Sequence, residues 1–187
     1  LSLHDALPIS ATLNVAAKPF ALTLRGEVSV TNATTFNNTA SLVLGNGSGD
    51  SLSFTSGLTA TAPTSIYIAG TLGATNAPIT LGAAPLRLTG NTTFNAGSGD
   101  ITLGGTVNGN YGLTLNSTGA TTLNGEIGGA AALTGLTTNS GGTLAMNGGI
   151  IKTTGAQSYG ELATLGNNTV LQGVNVAFAS TIDSVST

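Results

Sequence analysis

The chain is predicted to be all-β, a parallel β-helix built from coils of about 21 residues, and three observations carry that prediction. First, one short phrase returns five times between Ile79 and Gly166: Ile79-Thr80-Leu81, Ile101-Thr102-Leu103, Thr121-Thr122-Leu123, Gly142-Thr143-Leu144 and Ala163-Thr164-Leu165. Its leucines are 22, 20, 21 and 21 residues apart, a spacing far beyond any helical or heptad period and within the range of one coil of a solenoid. Second, each leucine is followed by glycine or asparagine: Gly82, Gly104-Gly105, Asn124-Gly125, Asn147-Gly148 and Gly166-Asn167-Asn168. These types accept positive φ cheaply and predict a tight corner at the same place in every coil. Third, no segment holds a 3.6-residue apolar period with helix caps, and Ala130-Ala131-Ala132-Leu133 is too short and too glycine-flanked for a helix.

Within the phrase, side-chain alternation along a strand sends the leucine inward and the preceding threonine outward. Leu81, Leu103, Leu123, Leu144 and Leu165 are therefore expected in one buried stack. Thr80, Thr102, Thr122, Thr143 and Thr164 should form a solvent-facing row.

Residues 1–10, Leu-Ser-Leu-His-Asp-Ala-Leu-Pro-Ile-Ser, lack the Gly/Thr/Asn texture of the rest and read as a foreign or disordered segment, similar to translated adapter sequence. They hold the one histidine, His4, beside Asp5; adjacent residues in a loose terminus do not make a catalytic dyad. Residues 11–187 form the repeat domain. Strands are expected at Ala11-Thr12-Leu13-Asn14, Leu22-Thr23-Leu24-Arg25 and Leu42-Val43-Leu44, although the 21-residue phase is poor before residue 65. Thr34-Thr35-Phe36 and Gly47-Ser48-Gly49-Asp50 recur as Thr92-Thr93-Phe94 and Gly97-Ser98-Gly99-Asp100. The offsets of 58 and 50 predict about eight extra loop residues in the first copy. Residues 79–94 match residues 163–178 at a shift of 83 to 84, close to four coils, so the chain is read as a piece that stops inside a unit. Between ladder strands lie further short ones, Thr106-Val107, Glu126-Ile127, Leu113-Thr114-Leu115 and Leu133-Thr134-Gly135-Leu136, which predict three strands per coil and a triangular cross-section.

Charged residues make up 6% of the 187, aromatics 4% and hydrophobic residues 40%, with 28 glycines and no cysteine or tryptophan. Disorder needs few aliphatics and much charge or proline, the opposite of this balance. The net charge of −3 and the scatter of Lys18, Arg25, Arg87 and Lys152 leave no basic patch for phosphates, so no nucleic-acid partner is expected. Without cysteine there is no disulfide and no thiolate metal site or nucleophile. No apolar run reaches membrane-helix length, and no basic n-region with a hydrophobic stretch opens the chain, so no membrane insertion of this segment is expected.

Some β-helices cleave polysaccharides, and such sites need clustered acids or bases on one face. Here Asp5, Glu27, Asp50, Asp100, Glu126, Glu161 and Asp183 fall out of phase with a 21-residue coil and read as solubilising surface charges. Gly45-Asn46-Gly47-Ser48-Gly49-Asp50 approaches a calcium-binding nonapeptide but lacks two glycines and a tandem copy, so it reads as a bend. The six N-x-S/T sequons at Asn32, Asn37, Asn46, Asn91, Asn116 and Asn167 follow from composition. Tyr67, Tyr111, Tyr159 and the five phenylalanines read as core or stacking residues. No catalytic, cofactor-binding or metal-ligating residue is assigned, and no cofactor is expected.

Gly105-Thr106-Val107-Asn108-Gly109, Leu113-Thr114-Leu115-Asn116, Leu136-Thr137-Thr138 and Thr153-Thr154-Gly155-Ala156-Gln157-Ser158-Tyr159 resemble the repeats of large bacterial exoproteins, the filamentous-haemagglutinin-like two-partner secretion proteins and autotransporter passengers. The resemblance covers roughly residues 79–187. It implies a right-handed β-helical shaft, secreted through an outer-membrane transporter to the cell surface or beyond. There it would act structurally or in adhesion to host or neighbouring-cell glycans or proteins, not as an enzyme. The family's secretion domain carries Asn-Pro motifs, which this chain lacks, and no family site residue transfers. The competing expectation is a β-helical carbohydrate-active enzyme, a polysaccharide lyase or hydrolase.

Overall fold

The structure, a computed structural model, describes residues 2–3, 7–9, 11–166 and 168–184. It is a parallel β-solenoid of about eight turns with roughly 21-residue spacing. No helix occurs among the described residues. From Leu22 onward each coil contributes a strand, or at Ile127 an isolated bridge, to each of three faces, and the pairings between coils are parallel.

On the first face the inward positions Leu22, Leu42, Ile66, Leu86, Val107, Ile127, Ile151 and Leu171 stand in register, one per coil. The second face stacks Val28, Leu52, Leu72, Phe94, Leu115, Thr138, Tyr159 and Phe178. The third stacks Thr34, Leu58, Ile79, Ile101, Thr121, Leu144, Ala163 and Ile182. These rows converge on one continuous apolar core. A single two- to four-residue strand has too little apolar surface to persist alone, so each coil is held by the coils above and below it. Phe36 and Phe54 meet edge to face within the core, their ring centroids 5.6 Å apart. The long strands Ser65–Gly73 and Leu86–Gly97 run from the first face onto the second. The first turns at Gly70, whose φ is 81° and where a Cβ would overlap the Asp50 carbonyl.

The ladder departs from its predicted register at one coil. Ile79-Thr80-Leu81, Ile101-Thr102-Leu103 and Thr121-Thr122-Leu123 pair residue for residue, but Leu123 then faces Met146, while Leu144 faces Thr121. The inward row is therefore Leu81, Leu103, Leu123 and Met146, all buried, followed by Leu165, which is only partly buried, with Ala145 in the outward place predicted for Thr143. The cause lies at the preceding corner. Six residues separate the inward positions Val107 and Leu113, whereas nine separate their counterparts Ile127 and Leu136, because Gly128-Gly129-Ala130-Ala131-Ala132 enlarges the bend. The ladder strand slips by an even number of positions, so Leu144 and Met146 both stay buried.

Corners differ from expectation too. Gly82, Gly104, Gly105, Gly125, Gly148 and Gly166 have no positive φ; the left-handed glycines lie elsewhere, at Gly45, Gly57, Gly70 and Gly97 among others. Space is the reason for glycine here. A Cβ at Gly125 would overlap the Gly105 carbonyl, and one at Gly148 the Gly125 carbonyl, so this corner is a column of stacked backbones.

The poor phase before residue 65 also has a local origin. Leu22 to Val28 is six residues, but Leu42 to Leu52 is ten, the extra four forming the bend around residues 45–50. Thr34-Thr35 lies on the third face and Thr92-Thr93 on the second, so the 58-residue offset joins non-equivalent positions and is not a loop length. The 84-residue shift does mark four coils, since Ile79 and Ala163 share one row and Phe94 and Phe178 another. Residues 11–14 form no strand, though the Asn32 N–H donates to the Ala11 carbonyl at 2.9 Å. Ser2–Leu3 pairs with Thr23 and Leu24, and Leu7–Ile9 with Val28, Ser29 and Val30. His4, Asp5, Asn167 and Thr187 lie outside the described residues.

Candidate functional site

The outer surface carries two rows of hydroxyls. On the third face Thr35, Thr59, Thr80, Thr102 and Thr122 are consecutive outward neighbours, continued by Ala145 and Thr164. A second row on the second face, Ser51, Thr71, Thr93, Thr114, Thr137 and Ser158, was not foreseen from the recurring phrase. Its signal is the same alternation seen in Leu113-Thr114-Leu115, one outward threonine between inward leucines. Parallel neighbours sit about 4.8 Å apart, so both rows repeat at that interval along the shaft. Asn91, Thr93, Thr114 and Thr137 line a shallow depression of about 320 Å³ on the second face.

Asparagines join coil to coil. Asn91 Oδ1 accepts the Gly112 N–H at 2.9 Å, Asn95 Oδ1 accepts from Asn116 Nδ2 at 2.7 Å, and Asn108 Oδ1 accepts the N–H groups of Ala130 and Ala131 at 2.9 Å each. Four sequon asparagines are engaged this way: Asn91, Asn116, Asn32 through Thr12 Oγ1, and Asn37 through the Val15 carbonyl. The abundance of asparagine thus has a structural cause, the supply of partners to corner groups that no strand satisfies.

The shaft is least uniform at the corner between the first and second faces. Both enlarged bends, residues 45–50 and 128–134, leave the solenoid there, and in solenoids insertions map to one face, often the binding face. The bend at 45–50 is closed by Asp50 Oδ2, which accepts from the N–H groups of Asn46 at 2.7 Å and Gly47 at 3.3 Å. At the second bend, Pro85, Arg87, Asn108, Asn110 and Ala131 surround a depression of about 300 Å³. Tyr111 and Tyr67 are 40% and 37% exposed, so these two tyrosines are surface groups and only Tyr159 is core.

The carboxylates do not converge. Asp50 lies at the corner between first and second faces, Asp100 between second and third, and Glu126 between third and first. Asp100 Oδ1 is held by the Ala120 N–H at 2.8 Å. Glu27, Asp100, Glu126 and Asp183 are exposed. No cluster of three or more potential metal ligands exists among the described residues.

Glu161 is the exception to the surface-charge reading: it is 1% exposed. The inward parity of the second and third faces continues through their corner as Gln157, Tyr159, Glu161 and Ala163, all buried. Gln157 is well paired, its Nε2 donating to the Gln172 carbonyl at 2.9 Å and its Oε1 accepting from Tyr159 Oη at 2.8 Å. Glu161 has less. Thr121 Oγ1 donates to Oε1 over 3.5 Å, the Thr138 hydroxyl faces the carboxyl, and Oε2 is buried with no partner. Burial pushes its pKa up to about 7 against the two hydroxyls, which pull it down.

Comparison with known families, curated proteins and solved structures finds no match. The architecture itself defines the class: a β-solenoid, consistent with β-helical repeat proteins.

Proposed function

We propose that this chain is a shaft segment of a secreted bacterial exoprotein, similar to filamentous-haemagglutinin-like and autotransporter passenger repeats, with a structural or adhesive role at the cell surface and no enzymatic one. The observation that carries the reading is the uniform outer surface. Uncharged hydroxyl rows run along two faces, while the acids are dispersed over three corners. Polysaccharide cleavage requires two groups positioned about one bond, and Asp50, Asp100 and Glu126 lie at three different corners. A shaft needs only stacking, and stacking is what the recurring residues supply. The decorated corner, with Arg87, Asn108 and exposed Tyr111, is where a surface glycan or protein would be met.

Two measurements test this. In cells producing the full-length protein, antibody against this segment should label intact cells, and external protease should remove the signal; a purely internal pool would contradict export. Purified chain incubated with acidic polysaccharides should leave their length unchanged. Depolymerisation abolished by Asp100→Asn or Glu126→Gln would establish the enzyme instead.

A further inference from the structure

We propose that the depression at the second bend is a binding site for a carboxylate-bearing sugar, with the Arg87 guanidinium as its anchor. The inference rests on the reading of this corner as the adhesive edge of the shaft, and it names the chemistry that edge recognises. The first support is the donor set. Arg87 stands in the outward row of the first face, and its exposed guanidinium makes no hydrogen bond or ion pair among the described residues. Asn108, in register with it on the next coil, has its Oδ1 committed to the N–H groups of Ala130 and Ala131. That fixes the orientation of the amide and leaves Nδ2 as a donor. Asn110 adds a second, exposed amide.

The walls suit the same ligand. Pro85, Ala130 and Ala131 present small apolar surfaces to the depression, and no carboxylate lines it. The carboxylate of Glu126 turns instead onto Gly129, where a Cβ would overlap its Oε2. A guanidinium fork takes a carboxylate through two parallel hydrogen bonds, while the C–H face of a sugar ring packs on apolar side chains. The volume of about 300 Å³ is at the small end for ligand pockets, enough for one sugar ring. The wall is also fixed in place: besides the two bonds to Asn108, the Gly109 N–H donates to the Ala131 carbonyl at 3.1 Å, so the bend is tied to the coil beneath it and little ordering is left for binding.

The row around Arg87 extends the site along the shaft. Its outward residues run Tyr67, Arg87, Asn108, Gly128 and Lys152 on successive coils. Tyr67, 37% exposed, offers an aromatic surface on one side of the guanidinium. Gly128 leaves the row open on the other side, and Lys152 places a second cation about 14 Å from the first, three coil spacings away. Two isolated cations on a chain of net charge −3 do not make the dense positive surface that a nucleic acid or a heavily sulfated polymer requires. A sugar chain with a carboxylate at intervals is matched instead.

Isothermal titration of the whole chain tests the site, with oligogalacturonate as the probe and its methyl ester, sialyllactose, dextran sulfate and duplex DNA as comparisons. Oligogalacturonate should bind, and the ester should bind about tenfold or more weakly. Arg87→Ala should abolish binding, and Arg87→Lys, which keeps the charge and loses the fork, should weaken it about tenfold. Arg87-dependent binding of sialyllactose in place of the oligomer would sustain the site and put the acidic sugar at the end of a glycan. Binding of neither acidic sugar, an ester that binds as well as the acid, affinity undiminished in Arg87→Ala, or tighter binding of dextran sulfate or DNA would each overturn the proposal. If either variant fails to fold, the ester comparison on the unaltered chain decides. Surface labelling of cells is scored separately. Labelled cells with a chain that binds neither acidic sugar refute this site alone, whereas unlabelled cells refute the exoprotein reading whatever the chain binds.

Discussion

At Leu123 the side chain is buried between Leu103 below and Met146 above, and its neighbour Thr122 faces outward with its hydroxyl at the surface. Removing the leucine side chain forfeits its transfer from water and leaves a cavity that stacked coils close only partly. Leu123→Ala should lower stability by about 2 to 5 kcal/mol in denaturant melts. Thr122→Ala should cost less than about 1 kcal/mol, because a cross-strand neighbour on the wet face contributes little. Equal costs would contradict the inside-outside assignment. The inward and outward parity of these residues was legible from alternation alone, and so, in principle, was Glu161. Read backwards from Leu165, alternate residues place Ala163, Glu161, Tyr159 and Gln157 inside. Testing acids only for a common 21-residue phase hides this, because that test assumes charge belongs at the surface, whereas chain parity puts one carboxyl in the core.

At the scale of elements, the strands were easier to foresee than the corners. Every predicted recurrence of the leucine phrase is a strand, but the reason for its trailing glycines is steric rather than conformational, and a sequence shows the glycine without showing which reason applies. The column Gly105, Gly125, Gly148 makes the difference testable. Gly125→Ala should destabilise the chain by about 1 to 3 kcal/mol, through overlap with the coil beneath, despite the better intrinsic backbone entropy of alanine. Thermal melts that show Gly125→Ala neutral or stabilising would contradict the close approach of coils at this corner. Insertions in the bends explain the remaining misses: four residues near Gly45–Asp50 and three near Gly128–Leu133 change coil length without changing strands, and a fixed period cannot absorb them.

For the whole molecule, the central claim is the register of eight stacked coils, because the core rows, the outer hydroxyl rows and the burial of Glu161 all follow from it. Register is also where the sequence period and the structure disagree, at the coil after Leu123. The chain contains no cysteine, so engineered pairs report without background. Adjacent in-register positions on parallel strands lie about 4.8 Å apart, within the Cα range of about 4.4 to 6.8 Å that a disulfide spans. Thr143 is paired with Ala120 and so stands two residues off Thr122, beyond that range. The measurement is oxidation of the double variants Thr122→Cys/Ala145→Cys and Thr122→Cys/Thr143→Cys, with cross-linked peptides read by mass spectrometry. The structure predicts an intramolecular disulfide in the first and none in the second. A disulfide in the second and none in the first would restore the uniform 21-residue register and contradict the fold described.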